Sequence, residues 1–139
     1  MTTMRLDIVS AEKEIFSGNI EAVIVPGEMG ELGIYPGHAQ LLTTIRPGNI
    51  RAILSDQSEE IFFINGGLLE VQPSITTVLA NTVIRARDID EKAALEAKAR
   101  AEQKLAKGVT EFDFAAATAE LAAAIAQIRA IQQLRKRSK

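Results

Sequence analysis

The residues best suited to chemistry lie in one short stretch, GELGIYPGHAQLL, at positions 30–42. It contains three glycines, the only tyrosine of the chain and its only histidine, His38. An imidazole beside a turn could act as a general base or as a metal ligand. Glu28 and Glu31 lie close by in the sequence and could form an acid/base pair. Both kinds of chemistry need further groups, which the rest of the chain would have to supply.

The rest of the chain does not supply these partners. It has no cysteine, no G-x-S-x-G serine and no H-E-x-x-H pair to accompany His38, and it has no phosphate-binding G-x-x-x-x-G-K-[ST] or G-x-G-x-x-G motif. One histidine without cysteine leaves little material for a metal site, so we expect no metal and no cofactor. A lone histidine at a Pro-Gly turn is more often a hydrogen-bonded loop residue, and glutamates three apart are more often solvated. The pattern favours a binding surface over an active site.

Composition indicates a folded protein without an affinity for nucleic acid. Hydrophobic residues make up 47% of the chain, and the net charge is only −2. The N-terminal residues lack the apolar run of a secretory signal, and no run approaches the length of uninterrupted apolar sequence that spans a bilayer. We therefore expect a soluble, cytoplasmic protein that meets a membrane only through a partner.

The chain divides into two parts of different composition. Residues 1–87 contain every proline and short apolar or alternating runs between turn signals, which predicts an antiparallel β-sandwich or barrel. Residues 88–139 contain 15 alanines among 52 residues, which predicts two helices over about 89–107 and 113–136, separated at Gly108. Asp88 followed by Glu91 predicts a capping box for the first helix, and Thr110 or Asp113 is expected to open the second.

Each predicted helix carries a narrow apolar stripe made largely of small side chains. The stripes comprise Ala94, Ala97, Ala101 and Leu105 on the first helix, and Leu121, Ala124, Ile128 and Ile131 on the second. Alanine buries little apolar area, so we expect the two helices to form a weak seam that a competing partner can open.

The second helix ends in positive charge, with no acidic residue between positions 121 and 139. The basic residues are Arg129, Arg135, Lys136, Arg137 and Lys139. Cations at this position offset the helix dipole, and they are also suited to an acidic partner surface. The sequence supports both interpretations.

Six stretches together resemble the epsilon subunit of bacterial F-type ATP synthases. They are LDIVSAEKEIFSG, GELGIYPGHAQLLT, RPGNIR, INGGLLEVQP, TVLANTVIRARDID and AELAAAIAQIR. The resemblance implies an N-terminal β-sandwich of about ten strands over residues 1–87 and a C-terminal antiparallel α-helical hairpin over residues 88–139. It implies a non-catalytic subunit of the rotor stalk that binds the gamma subunit and rests on the c-ring. Such a subunit supports the coupling of proton flow to rotation, as a peripheral protein at the cytoplasmic face of the bacterial inner membrane.

The resemblance also implies roles for particular residues. A loop formed by Glu28, Met29, Gly30 and Glu31 would face the c-ring. A second surface with Tyr35, His38 and Leu42 would face gamma, although Tyr35 can equally serve to pack its loop onto the sandwich. When the helices extend, they would inhibit ATP hydrolysis by carrying four basic residues to acidic loops of the alpha/beta catalytic head. These residues are Arg129, Arg135, Lys136 and Arg137.

Some members of this family bind ATP at the folded hairpin, where an [I/L]-D-x-x-R-A motif opens the first helix. Ile89 and Asp90 match this motif, but Ala93 stands where the motif has arginine. Arg100 and Arg129 fall at other suitable basic positions. Because a charge-assisted phosphate contact is missing, the sequence predicts weak or absent ATP binding. Two alternatives remain open: a free nucleotide sensor whose hairpin closes on its ligand, and a β-sandwich adaptor unrelated to rotary enzymes.

Overall fold

The computed structural model describes residues 2–108 and 110–137, without the side chain of Arg137. Of the predicted basic residues, Lys139 and the Arg137 side chain therefore lie outside the described part. The chain forms eight strands, then a 3-10 turn (Ala86–Asp88), and then two helices, α1 (Glu91–Ala106) and α2 (Glu111–Arg137). The strands are β1 (Met4–Ser10), β2 (Glu14–Ile20), β3 (Ala22–Gly27), β4 (Gly30–Ile34), β5 (Leu41–Ile53), β6 (Glu59–Val71), β7 (Ile75–Ala80) and β8 (Val83–Arg85).

All eight strands belong to one hydrogen-bonded sheet that closes around a single core. The strand order is β2-β1-β7-β6-β5-β3-β4, with β8 pairing to β6, and only the β1–β7 pair is parallel. Strands from both ends of this order share the core, because Ile20 of β2 and Ile34 of β4 are fully buried in one cluster. The sheet thus wraps over itself, and the predicted β-sandwich is confirmed.

The strand count is eight rather than about ten because β5 and β6 are unusually long. Each has 13 residues, and the two pair along their whole length. One end of β6 pairs with β7, whereas its other end pairs with β8. Each long strand therefore runs through both halves of the wrapped sheet. If each were counted as two short strands, one in each half, the total would be ten.

The two helices form the predicted antiparallel hairpin, although the first begins differently from the prediction. The Asp88/Glu91 capping box is wrong: Asp90 caps α1, its carboxylate accepting a hydrogen bond from the Ala93 N–H at 3.1 Å. Asp88 instead ends the 3-10 turn, and Ile89 is extended between the two. Gly108, at φ +71°, follows the end of α1 as expected for a left-handed terminating residue. Thr110 Oγ1 accepts a hydrogen bond from the Asp113 N–H at 3.3 Å, which caps α2.

Helix α2 connects the hairpin to the sandwich. A small apolar cluster joins Ala130 of α2 to Ile61 of β6 and Ala86 of the 3-10 turn, and the Asn49 side chain donates a hydrogen bond to the Ala126 carbonyl at 3.0 Å. By length and composition alone, Glu111–Lys136 would also suffice to cross a membrane. Alanines supply much of its apolar character, however, and its buried residues pack on α1 and on the sandwich.

Candidate functional site

The loop predicted to face the c-ring is a tight turn at the edge of the sheet. Gly27 and Gly30 pair with each other, which leaves Glu28 and Met29 as the turn between β3 and β4. Met29 is 100% exposed, and the two glutamates beside it are also exposed. Because β4 is the last strand of the sheet, the turn projects from the sandwich with a thioether between two carboxylates. Such a turn is suited to contact rather than to catalysis.

The loop that follows β4 carries Tyr35 and His38. The His38 N–H donates to the Tyr35 carbonyl at 3.1 Å, and His38 Nδ1 donates to the Ala39 carbonyl at 2.7 Å. His38 thus hydrogen-bonds within its own loop. Tyr35 remains 58% exposed, and its ring lies over Gly33, where a Cβ atom would be only 3.2 Å from Tyr35 Cε2. A glycine at position 33 therefore lets the ring lie close to the backbone.

Leu42 belongs to a row of exposed leucines on the outer face of the sheet. Leu42, Leu68 and Leu79 are 68%, 44% and 48% exposed. Leu68 pairs with Leu79 on β7 and with Thr44 on β5, and Thr44 shares a face with Leu42 two residues away. We call these three residues the outer leucine row. Leu68 and Leu79 are direct neighbours, and Leu42 lies diagonally across from Leu68, beside Glu70. Exposed apolar side chains gathered on one face are a candidate interaction site.

Leu68 and Leu79 were not predicted from the sequence, although an alternating pattern in β6 indicates that Leu68 is exposed. In the run LLEV, Leu69 and Val71 are buried, so Leu68 and Glu70 must point outward. The position of Leu79 beside Leu68 depends on the β6–β7 register, which the sequence pattern does not reveal.

The predicted stripes meet in the hairpin seam. Ala94, Ala101 and Ala124 are each at most 3% exposed, and Ile131 is 8% exposed. Ala117 and Ala130 are also buried, which extends the buried face of α2 beyond the predicted stripe. The seam is bounded by two ion pairs, Arg135–Glu91 at one end and Lys104–Glu120 at the other, the second at 3.5 Å. Exposed pairs of this kind contribute about 0–1 kcal/mol each.

The predicted inhibitory residues are not equivalent in this conformation. Arg129 and Lys136 are exposed, whereas Arg135 is held by Glu91 of α1. We call these predicted residues, Arg129, Arg135, Lys136 and Arg137, the basic tail. One of its cations, Arg135, is therefore already ion-paired within the closed hairpin.

Three of the four residues predicted for ATP line one cavity. A cavity of about 650 Å³ in the hairpin is lined by Ile89, Asp90 and Arg100, with Ala93 at the same wall. Arg129 does not line it and borders a separate cavity of about 450 Å³ between α2 and the sandwich, next to Asn49 and Arg51. Gln127 lines the hairpin cavity. Because an α-helix rotates by about 100° per residue, Arg129, two residues later, lies on nearly the opposite side of α2 and points away from this cavity.

These features define a class of protein: a β-sandwich with exposed surface loops and a helical hairpin packed on one side of it. In the described residues, no group of three or more acidic or histidine side chains is placed to hold a metal ion. Residues 3–86 match the family model for the beta-sandwich domain of the ATP synthase delta/epsilon chain, and residues 87–132 match that for its long alpha-helix domain.

The chain therefore belongs to the ATP synthase delta/epsilon chain family, as the resemblance predicted. It is 54% identical over 137 residues to the ATP synthase epsilon chain of Legionella pneumophila strain Corby, covering 99% of this chain and 98% of that one. The epsilon chain of strain Paris gives the same values.

Solved structures of low sequence identity share the fold. A chain in the mitochondrial ATP synthase of Euglena gracilis (OSCP/F1/c-ring) has a TM-score of 0.85 at 16% identity, with 94% of this chain and 82% of that chain covered. A chain from the central stalk/c-ring of the Tetrahymena thermophila mitochondrial enzyme has a TM-score of 0.60 at 16% identity, with coverage of 94% and 97%.

Proposed function

We propose that this chain is a non-catalytic central-stalk subunit of a bacterial ATP synthase, located at the cytoplasmic face of the inner membrane. Residues 1–87 would dock on the rotor, and residues 88–139 would regulate ATP hydrolysis. The observation that carries the proposal is the match of both family domains together with 54% identity to bacterial epsilon chains over nearly the whole length. The two structural neighbours, which come from assemblies with a c-ring, support the same assignment.

The sandwich offers two chemically different surfaces for two partners. The turn with Glu28, Met29 and Glu31 is polar, small and projecting, which suits the polar loops of the c-ring. The outer leucine row and the ring of Tyr35 are apolar and exposed, which suits a permanent contact with gamma. We place His38 at the rim of this second surface, where its ring and its loop carbonyls are exposed.

The hairpin is suited to a reversible change because little holds it closed. Its seam consists mainly of alanine, and its end pairs are exposed salt bridges. At the contact with the sandwich, Asn49 Oδ1 and Gln133 Oε1 are buried without a hydrogen-bond partner in the described residues. An unsatisfied buried oxygen costs about 1–3 kcal/mol, which further weakens the closed form. Closed and open forms can then differ by only a few kcal/mol, as a switch requires.

In the extended form, α2 would leave the seam and enter the catalytic head beside gamma. Arg135 would exchange Glu91 for acidic residues of the head, joined by Arg129, Lys136 and Arg137. The basic tail would then obstruct rotation in the hydrolysis direction.

The hairpin cavity is poorly equipped for ATP. Of the charged residues lining it, three are acidic and two are basic, and one of the basic residues, Lys104, already pairs with Glu120. A triphosphate would meet this excess of negative charge without the arginine that Ala93 replaces. We expect weak or absent ATP binding by titration calorimetry, and Ala93→Arg should strengthen it about tenfold or more. A micromolar affinity of the unaltered chain would contradict this expectation.

The decisive experiment compares ATP hydrolysis by the assembled catalytic head carrying either the full chain or a chain truncated after Arg87. The main core cluster lies entirely within residues 4–80, so the truncated sandwich should keep its fold and its place in the complex. Truncation should raise turnover several-fold. Unchanged turnover in an intact complex would refute the inhibitory role, and loss of the truncated chain from the complex would refute docking through the sandwich.

A further inference from the structure

A second cavity of the sandwich contains an acidic group that the proposed function does not use. It measures about 520 Å³ and lies beside Tyr35. Its lining residues are Thr2, Glu21, Ala22, Tyr35, Pro36, Ile53 and Gln57. Glu21 is the single residue between β2 and β3, and its backbone N–H donates to the Ile53 carbonyl at 2.7 Å. We call this cavity the Glu21 pocket.

The Glu21 carboxylate is only half satisfied. Oε2 accepts a hydrogen bond from Gln57 Nε2 at 2.6 Å, whereas Oε1 is buried and has no hydrogen-bond partner within the described residues. A carboxylate can accept about four hydrogen bonds, and a buried charged oxygen without a donor is destabilising. No lysine or arginine of the described chain lines the pocket. The charge is thus kept in place without an internal counter-ion.

The loop opposite Glu21 is built to hold this carboxylate in one orientation. Gln57 has φ +70°, the only non-glycine residue at positive φ in the described chain. The turn that imposes this conformation is closed by the Leu54 N–H to Ser58 carbonyl bond at 2.9 Å, and Asp56 accepts a hydrogen bond from the Ser58 N–H at 2.9 Å. A non-glycine residue in this conformation carries some strain, and it occurs both in hairpin loops, as here between β5 and β6, and at functional sites. Here the conformation directs the Gln57 amide onto Glu21 Oε2, and the carboxylate lines the pocket.

Tyr35 supplies the second element that a cation requires. Its half-exposed ring borders the same pocket, and an aromatic face beside a carboxylate attracts ammonium and guanidinium groups. We propose that the Glu21 pocket receives a lysine or arginine side chain of the gamma subunit. This proposal rests on the proposed function, because Tyr35, which borders the pocket, also belongs to the surface assigned to gamma.

The test measures binding of the full chain to a catalytic head that contains gamma but lacks this subunit. Glu21→Gln keeps the shape of the side chain and its contact with Gln57 but removes the charge. We expect the dissociation constant to increase at least tenfold. Glu21→Lys should weaken binding further, and Tyr35→Leu should weaken it several-fold by removing the aromatic face. Glu12→Gln is the matched control: it removes one exposed carboxylate in the turn between β1 and β2 and should leave affinity unchanged.

A thermal-unfolding measurement separates binding from folding. Because Glu21 Oε1 lacks a hydrogen-bond donor within the described residues, Glu21→Gln should leave the melting temperature of the free chain unchanged or raise it. A lowered melting temperature with unchanged affinity would overturn the proposal and make Glu21 a structural residue.

Leu42→Ala, in the outer leucine row, separates the failure of this proposal from the failure of the proposed function. If Leu42→Ala weakens binding and the Glu21 variants bind like the unaltered chain, the gamma surface stands and the Glu21 pocket is not part of it. If neither change affects binding, the assigned gamma surface is wrong and the pocket proposal falls with it. If only the Glu21 and Tyr35 variants bind weakly, the pocket is retained and the role of Leu42 is rejected.

Discussion

Replacing Ala101 by leucine should open the helical hairpin. Ala101 is 0% exposed, and the register set by the Lys104–Glu120 and Arg135–Glu91 pairs places it opposite the part of α2 around Ala124, itself 3% exposed. Adding three carbon atoms to a packed site of this kind costs about 1–3 kcal/mol. At room temperature this shifts the closed/open equilibrium about 5- to 150-fold toward the open form. The exposed salt bridges at the ends of the seam contribute about 0–1 kcal/mol each and cannot compensate for the larger value.

The opening can be measured directly because the chain has no cysteine. Cysteines introduced at Lys92 and Gln132, both exposed, allow spin labels to report the distance between the end of α2 and the start of α1. Ala101→Leu should add a population of longer distances and should strengthen inhibition of ATP hydrolysis in the assembled head. Ala99→Leu makes the same change at an exposed position of the same helix and should have neither effect.

A single short distance together with a higher melting temperature would refute this reasoning. It would mean that the seam has room for leucine, so that the larger side chain locks the hairpin. The sequence alone leaves both outcomes open, because it shows that the alanines share a face but not how closely the helices approach.

Three further predictions concern single contacts. Glu91→Gln should remove the ion pair with Arg135 and lower the chain concentration needed for half-inhibition of the head by up to about fivefold. Glu120→Gln, which removes the pair at the other end of the seam, should lower this concentration by at most a similar factor, because it weakens the closed hairpin but leaves the Arg135–Glu91 pair intact in it. Asn49→Ala should remove the bond to the Ala126 carbonyl and accelerate amide hydrogen exchange in α2 but not in the sheet. The hydrogen bond from the Ser58 hydroxyl, and to a smaller extent that from the Ser58 N–H, lowers the pKa of Asp56 below 3.8. The stabilisation of the fold by these bonds is therefore present above pH 3.8 and is lost as the pH falls through the lower folded-state pKa. Ser58→Ala should therefore bring the pKa of Asp56, followed by NMR, back toward 3.8; an unchanged pKa would contradict the assignment.

Local sequence features predicted the presence of both helices correctly but misplaced the first residue of α1. Alanine content and Gly108 indicate two helices and the break between them, because propensity and a left-handed terminating residue act within a few residues. The cap of α1 was misplaced because Ala86, in the 3-10 turn, is buried against Ile61 and Ala130. That contact joins distant parts of the chain and moves the cap from Asp88 to Asp90.

The candidate sites show the same division. The Met29 turn and the Tyr35–His38 loop were recognisable from glycine, proline and family-specific residues in one continuous stretch. The outer leucine row required the β5–β6–β7 register, and the Glu21 pocket required loops from three separate places in the chain. Arg129 was assigned to the hairpin cavity, but the rotation of α2 turns it toward the sandwich instead.

The sequence by itself determined the sandwich, the hairpin and the family, because composition, periodicity and characteristic stretches are properties of the chain read along its length. Only the tertiary structure decided which leucines form one exposed row, which cation of the basic tail is already paired, and which carboxylate lines a pocket without a neighbouring cation among the described residues. Each of these depends on strand register or helix rotation, and both are set by packing between residues far apart in the chain.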